Sequence, residues 1–401
     1  MVNESINNKR NWGKTFGQLT WEQFRKNRLN IVCLGFIILL FVIAVFAPFI
    51  ANSKPYFAVI KGELSFPLFS ALDSSDYSVL FAAACCIGLI FKIKSNTKKY
   101  TPSVRGEIFL RQLMITAGII LAGVIFFKAV IPTYNSTVNY KQLVQESEEN
   151  WAVFPPVPYS YAETSLEDKY QPPSQKHLLG TDDVGSDVLA RLIHGSRISL
   201  SVGFVAVGIS TTIGVLIGSV IGFFGGIVDF IGMRFIEIMM AIPAFFLILT
   251  IIAFFGKSLF NIMIIIGITS WTGNARFIRA EFLKLRKQDF VDAARALGLP
   301  TSSIIFKHIL PNGVAPVLVN ATFGIAGAIF IEAALSFLGF GIVPPKPSWG
   351  QMLSLGVNSS GEFIWWMTLF PGLAIIFTVM AYNLVGEGLR DAIDPKLRKA
   401  A

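Results

Sequence analysis

The chain has 401 residues, of which 53% are hydrophobic and only 15% charged, with a formal net charge of +9. Soluble domains carry roughly a quarter charged residues, so this composition excludes a water-soluble globular protein. The basic residues sit at the ends of apolar runs, a distribution that reports membrane topology and excludes a phosphate-binding face for nucleic acid.

In chain order, residues 1–30 are polar and basic and read as a cytoplasmic tail. An apolar run at 31–51 follows, long enough to span a bilayer and longer than a signal-peptide core, so it reads as an uncleaved first span. Residues 52–78 form an external connector, and runs at 79–91 and 110–131 make a two-span hairpin over 79–131. Residues 132–197 are acidic and proline-rich, too long for an idle connector. They predict a mostly irregular external cap, ending in an interfacial helix over 187–194. The core domain at 198–387 supplies spans at 198–224, 230–255, 259–277, 314–340 and 363–384, with Pro243 kinking the second of these, and residues 388–401 form a tail.

That makes about eight spans, with both termini on one side. Basic clusters within 9–28, 92–111, 276–307 and 390–399 then share that side, which makes it cytoplasmic. The acidic 132–197 segment falls opposite. The fold class is therefore an all-α integral membrane protein.

Between two blocks of membrane sequence lies DAARALGLPTSSIIFKHILPN, residues 292–312. Asp289 is placed to cap a short helix over 290–297, with Asp292 three residues on in capping-box position. Gly298 supplies a left-handed stop and Pro300 prevents continuation. A second short helix is expected to run to Leu310, where Pro311 ends it, giving a cytoplasmic helix pair over 289–310. Phe290, Ala293, Ala294 and Leu297 share one face of the first helix, with Arg295 elsewhere. A plug of this kind suits a groove on another protein.

Small residues recur every fourth position at Ser210, Gly214, Gly218, Gly222 and Gly226, a stripe that lets another helix approach closely in lipid. Its partner is either a helix of this same chain or a second membrane subunit. Glu332 lies deep in an apolar run with Asn320 three turns earlier. A carboxylate at that depth is either a translocation-path residue or a hydrogen-bonded residue that pins helices. Cys33, Cys85 and Cys86 sit inside apolar runs, and His177, His194 and His308 are dispersed, so neither a disulfide framework nor a metal site is expected. Gly256-Lys257-Ser258 fails as a phosphate-binding loop, because Ile251 stands where its first glycine belongs.

Asp292-Ala293-Ala294, Gly298, His308 and Leu310-Pro311-Asn312 together resemble the EAA signature of importer-type ABC transporter permeases, with Asp in place of the usual Glu. Residues 177–200 and Leu335-Ser-Phe-Leu-Gly-Phe-Gly, with Pro344-Pro345 and Trp349-Gly350, are similar to "C"-type oligopeptide and dipeptide permeases. Arg390-Asp391 and Asp394-Pro395 also fit. Residues 52–67 and 151–181 look closest to the microcin C uptake branch. The resemblance covers about 20–70 and 150–398 and leaves out the two spans of the 79–131 hairpin, which read as an insertion on a core of six helices.

The resemblance implies a permease subunit in the bacterial inner membrane that pairs with a homologous permease and takes peptide from an extracytoplasmic solute-binding protein. Two ATPase subunits would hold the ATP and Mg²⁺ and push on the 289–312 coupling helices. Asp182, Asp183 and Asp187 are then candidate contacts for the binding protein. The same architecture also serves dipeptides, peptide-like antibiotics and nickel chelates. A secondary transporter working alone would instead need paired interrupted helices with ion ligands at the midplane, and a membrane enzyme would need clustered acid, base or metal ligands.

Overall fold

The computed structural model describes residues 16–99, 102–131, 138–147, 149–357 and 361–393. The basic residues Lys9, Arg10 and Lys14, the tail residues Lys396, Arg398 and Lys399, and Asp394-Pro395 lie outside the described residues. The chain divides into two units, one made of 1–39, 200–341 and 373–401, the other of 40–199 and 342–372.

The N-terminal segment is not a plain tail. Phe16–Lys26 forms a helix, α1, on which Trp21 stacks against Phe24. Helix α2, Arg28–Ile50, is the first span. Phe57–Ile60 (β1) and Glu63–Ser65 (β2) form a hairpin whose turn, Lys61-Gly62, has φ of 53° and 81°. Two successive positive φ values give the twist that a tight antiparallel hairpin needs. After Pro67–Ala71 (α3) come the two helices of the inserted hairpin, Ser74–Lys99 (α4) and Pro102–Val130 (α5). They cross closely where Gly123 faces Phe81: a Cβ on Gly123 would collide with that ring.

Tyr140–Glu146 (α6) and Trp151–Val153 (β3) follow. β3 joins the first hairpin as a sheet ordered β2-β1-β3, with Ala58 opposite both Ser65 and Ala152. The segment expected to be mostly irregular thus closes a small sheet with the first connector.

Val188–Phe224 (α7) is one helix of 37 residues. The separate interfacial helix expected over 187–194 is its first two turns. Asp187 caps it, its Oδ1 accepting from the Ala190 N–H at 2.8 Å, which satisfies a donor the helix start leaves orphaned.

Two spans depart from the sequence reading. The run at 230–255 is broken into Gly226–Ala241 (α8) and Ala244–Phe255 (α9), bent by 77°. Pro243 lacks an N–H and forces Ile242 to extended geometry (φ −83°, ψ 123°), so the chain leaves the helix instead of kinking it. The run at 259–277 is split into Leu259–Thr269 (α10) and Trp271–Leu285 (α11). The first helix closes with the Ser270 N–H donating to the Ile266 carbonyl at 3.1 Å, and Ser270 itself leaves helical geometry (φ −100°, ψ 5°). Among the described residues six helices are long and apolar enough to cross a bilayer, or seven if the bent pair is one span, in place of eight.

Asp289–Ala296 (α12), Thr301–Ser303 (α13), Leu310–Phe337 (α14), Trp349–Ser354 (α15) and Trp365–Ile393 (α16) complete the chain. In the second unit the two sequence blocks around 177–200 and 344–367 meet. The Trp349 indole donates to the Leu192 carbonyl at 3.0 Å, the Trp366 indole donates to the Thr181 carbonyl at 3.1 Å, and Val188, Met352, Ile364 and Met367 form the core between them.

Candidate coupling site

Helix α12 starts differently from the sequence expectation. Gln288 is the capping residue, Asp289 is the first helical residue, and no side chain caps the start. Asp289 and Asp292 still lie in the first turn, where negative charge complements the helix dipole. Asp292 Oδ1 accepts from the Arg295 guanidinium at 3.2 Å on an exposed surface, and the Arg295 guanidinium lies over the Phe223 ring.

The end of α12 is a Schellman motif. Gly298, at φ +70°, donates its N–H to the Arg295 carbonyl at 2.9 Å, and Leu299 donates to the Ala294 carbonyl at 3.2 Å. Leu299 then packs with Ala294 into one apolar cluster with Ile278, Phe282, Val291 and Ile309. Burying an isoleucine or phenylalanine of this kind stabilises by about 1.5–3 kcal/mol, so α12 is clamped against α11 and α14.

Of the face shared by Phe290, Ala293, Ala294 and Leu297, only Ala294 is buried. Val291 and Ala294 point inward, at 0% and 4% exposure, whereas Phe290 is 38% and Leu297 79% exposed. Phe290, Ala293 and Leu297 thereby form an apolar face that nothing in this chain covers among the described residues.

The second half of the expected pair is not a separate helix. Thr301–Ser303 leads into a π turn over Ile304–Ile309, in which the Leu310 N–H reaches the Ile305 carbonyl, and the chain continues directly into α14. Pro311 sits in the first turn of α14 and does not end anything. It has no N–H and its ring would crowd the carbonyl four residues back, and the wider turn relieves that conflict. Asn312 Nδ2 donates to the His308 carbonyl at 2.7 Å, satisfying an acceptor within the disturbed ladder. His308 and Leu310 are half-buried, while Pro311 and Asn312 are exposed. The knuckle is therefore one short helix fused through a Gly-Leu-Pro corner to a membrane span.

The glycine stripe lies along α7 against α11 of the same chain. A Cβ on Gly214 would be 2.5 Å from Asn274 Cβ, one on Gly218 would collide with the Ala275 carbonyl, and one on Gly222 would be 2.6 Å from Phe282 Cβ. Gly226 has no neighbour within 4 Å and does not extend the stripe. Sequence reasoning missed what this seam carries. Asn274 is buried, takes the Asn320 amide at 2.6 Å, and donates to Ser210 Oγ at 3.3 Å. Below it the Arg279 guanidinium binds the Asp229 carboxylate through two nitrogens, and Arg286 donates to the Phe223 carbonyl at 2.9 Å. Asn320 is thus tied into a three-helix polar network. Glu332 is fully buried, and its Oε1 accepts from the hydroxyl of Ser336, one turn on in the same helix, at 2.7 Å.

Asp182, Asp183 and Asp187 do not form a common exposed surface. Asp182 is buried, accepts from the N–H groups of Val184 and Ser186 at 3.0 and 2.8 Å, and pairs with Arg191. Asp187 is buried between the α7 N-terminus and His177 Nδ1 at 2.9 Å. Only Asp183 is partly exposed. The first two shape the loop before α7, a role that a bare acidic count could not distinguish from partner contact.

These features define a polytopic helical membrane protein in which a short helix, α12, joins a membrane span through a glycine corner. Two family models match: "Binding-protein-dependent transport system inner membrane component" over residues 214–399, and "N-terminal TM domain of oligopeptide transport permease C" over residues 15–66. The chain is 42% identical over 252 residues to the "Dipeptide transport system permease protein DppC" of Alkalihalophilus pseudofirmus, covering 62% of this chain and 82% of that protein. It is also 42% identical over 250 residues to the "Oligopeptide transport system permease protein OppC" of Bacillus subtilis, covering 62% of this chain and 82% of the relative. A solved structure described as inward-facing conformations of the MetNI methionine ABC transporter aligns at TM-score 0.41 and 19% identity, over 51% of this chain and 96% of that one. The chain belongs to the family of binding-protein-dependent ABC permeases, within its oligopeptide/dipeptide permease C group. The matches do not single out the microcin C branch, and neither family model covers residues 67–213, which include the inserted hairpin.

Proposed function

We propose that this chain is one membrane subunit of an ATP-driven importer for peptides, and that the 289–312 knuckle is where a separate ATPase drives it. The observation that carries this reading is the uncovered apolar face of Phe290, Ala293 and Leu297 on a helix clamped from behind by Val291 and Ala294. A stiff knob with an apolar face fits a groove on a partner. The corner at Gly298 fuses it to α14, so a push on the knob moves a membrane span.

The remaining parts follow from family membership. A homologous permease would complete the path, an extracytoplasmic solute-binding protein would deliver peptide on the side of residues 132–197, and two ATPase subunits would bind ATP and Mg²⁺. On this reading both termini and the knuckle lie in the cytoplasm. The relatives' names support dipeptides and oligopeptides as the cargo; peptide-like antibiotics and nickel chelates are cargoes of the same architecture.

One observation speaks for a transporter working alone. The sequence reading found no paired interrupted helices, yet the breaks at Pro243 and Ser270 lie in adjoining spans. Family membership outweighs it. Co-purification separates the two: an importer subunit carries an ATPase with it from the membrane, and Leu297→Asp, which charges the apolar face, releases that ATPase. Full peptide uptake by the purified chain alone, with no ATPase, would overturn the proposal.

A further inference from the structure

The second unit holds a cleft of about 630 Å³ at the root of the inserted hairpin, far along the chain from every residue used in the coupling reading. That volume lies within the usual range for small-molecule sites. Its charges are sorted in space. On one side Lys141 Nζ lies 3.4 Å from Glu163 Oε1, and Lys54, whose ammonium donates to the Val138 carbonyl at 2.6 Å, also stands in the field of Glu163. On the other side the Arg197 guanidinium binds Asp76 Oδ1, and Asp73 stands in the field of that guanidinium. Among the described lining residues one wall therefore carries two ammonium groups to one carboxylate, and the other carries two carboxylates to one guanidinium.

The walls are held in place by local bonds. The Asp73 carboxylate accepts from the Asp76 N–H at 2.8 Å, and the Asp76 carboxylate accepts from the Asp73 N–H at 3.1 Å. Glu163 Oε2 accepts from the Ser160 N–H at 3.2 Å. Burial pushes the Lys54 and Lys141 ammonium groups below the ordinary lysine range, an effect that the Glu163 carboxylate partly offsets. The Lys141–Glu163 pair is long, and its side chains keep 30% and 38% of their exposure. Such a pair contributes little and yields readily to a better partner.

We infer that this cleft binds a small zwitterion, an amino acid or a dipeptide, with its carboxylate toward Lys54 and Lys141 and its ammonium group toward Asp73 and Asp76. The overall lining is neutral and dipolar, which matches a ligand that is itself neutral and dipolar. A singly charged ligand would gain at one wall and lose at the other. Asp76 belongs to α4 and Arg197 to α7, so an occupied cleft also braces the inserted hairpin against the long core helix. The site lies in one permease chain and needs neither the knuckle nor an ATPase.

The test is calorimetric titration of the full-length chain in detergent with L-alanine and L-alanyl-L-alanine. Saturable binding of either supports the site, and N-acetylation or C-amidation of the ligand should each weaken that binding at least about tenfold, the effect of 1.4 kcal/mol. These comparisons need no altered protein. Lys141→Gln and Asp73→Asn should each weaken the unmodified ligand similarly, while Lys141→Gln leaves the affinity of the C-amide almost unchanged. A thermal melt of each variant reports that it is folded. No saturable binding to the unaltered chain, blocked ligands that bind as tightly as free ones, or folded variants with unchanged affinity would each overturn the inference. All of these readings are independent of whether the chain couples to an ATPase.

Discussion

Replacing Gly298 by valine isolates the corner from everything around it. No heavy atom lies within 4 Å of the place a Cβ would occupy there, so the substitution creates no clash. Its whole effect comes from the backbone, which sits at φ +70°. A residue with a Cβ in that region is disfavoured by roughly 1–2 kcal/mol, and β-branching adds to this. If the corner relaxes, the bonds from Gly298 to Arg295 and from Leu299 to Ala294 go with it. A shift of that size changes the ratio of braced to slack knuckle by about 5- to 30-fold. The span behind it, α14, is untouched, so the amount of protein in the membrane should not fall. Reconstituted importer with Gly298→Val should hydrolyse ATP while peptide uptake per ATP drops by up to that factor. Gly298→Asn, which tolerates a left-handed backbone, should recover most of the loss. Normal uptake per ATP with valine at this position would refute the idea that the corner transmits force.

Three further substitutions test the scaffold. Asn274→Ala removes the acceptor for Asn320 and the donor to Ser210, and polar bonds between membrane helices are worth about 0.6–1.7 kcal/mol, so the melting temperature in detergent should fall measurably. Gly218→Val places a side chain against the Ala275 backbone and should destabilise by about 1–3 kcal/mol, whereas Gly208→Ala on the same helix, with nothing within 4 Å, should melt like the parent. Asp187→Ala removes the cap of α7 and should cost about 0.5–2 kcal/mol in the same melt, with Asp187→Asn retaining most of it.

Much of this architecture was legible because it rests on local chemistry. Gly298 followed by Leu299-Pro300 predicts the left-handed stop directly, since only glycine takes that backbone freely and proline forbids another turn. The stripe of Gly214, Gly218 and Gly222 announces close helix contact, although only the structure identifies α11 as its partner. What failed depended on competition between local and longer-range effects. Pro243 and Pro311 carry the same sequence signal, yet one breaks its span and the other is absorbed by a π turn backed by the Asn312 side chain. Of the face shared by Phe290, Ala293, Ala294 and Leu297, only Ala294 turns inward beside Val291, because packing against Ile278, Phe282 and Ile309 decides which side of a short helix is covered. Asp182 and Asp187 looked like an exposed acidic cluster, and their partners Arg191 and His177 could not be paired with them from spacing alone. Asn274 gave no sequence signal, because one asparagine in a basic-flanked helix has no period to stand out from.

The most direct test of the central claim is sidedness and protection at Leu297, which is 79% exposed on the uncovered face of the knuckle. A Leu297→Cys variant would be made in a chain with Cys33, Cys85 and Cys86 replaced and treated with a membrane-impermeant maleimide. Docking of an ATPase on this face predicts labelling in inside-out vesicles, strong protection once the ATPase subunits are assembled, and none in right-side-out vesicles. Labelling from outside, or equal labelling with and without the ATPase, would contradict it.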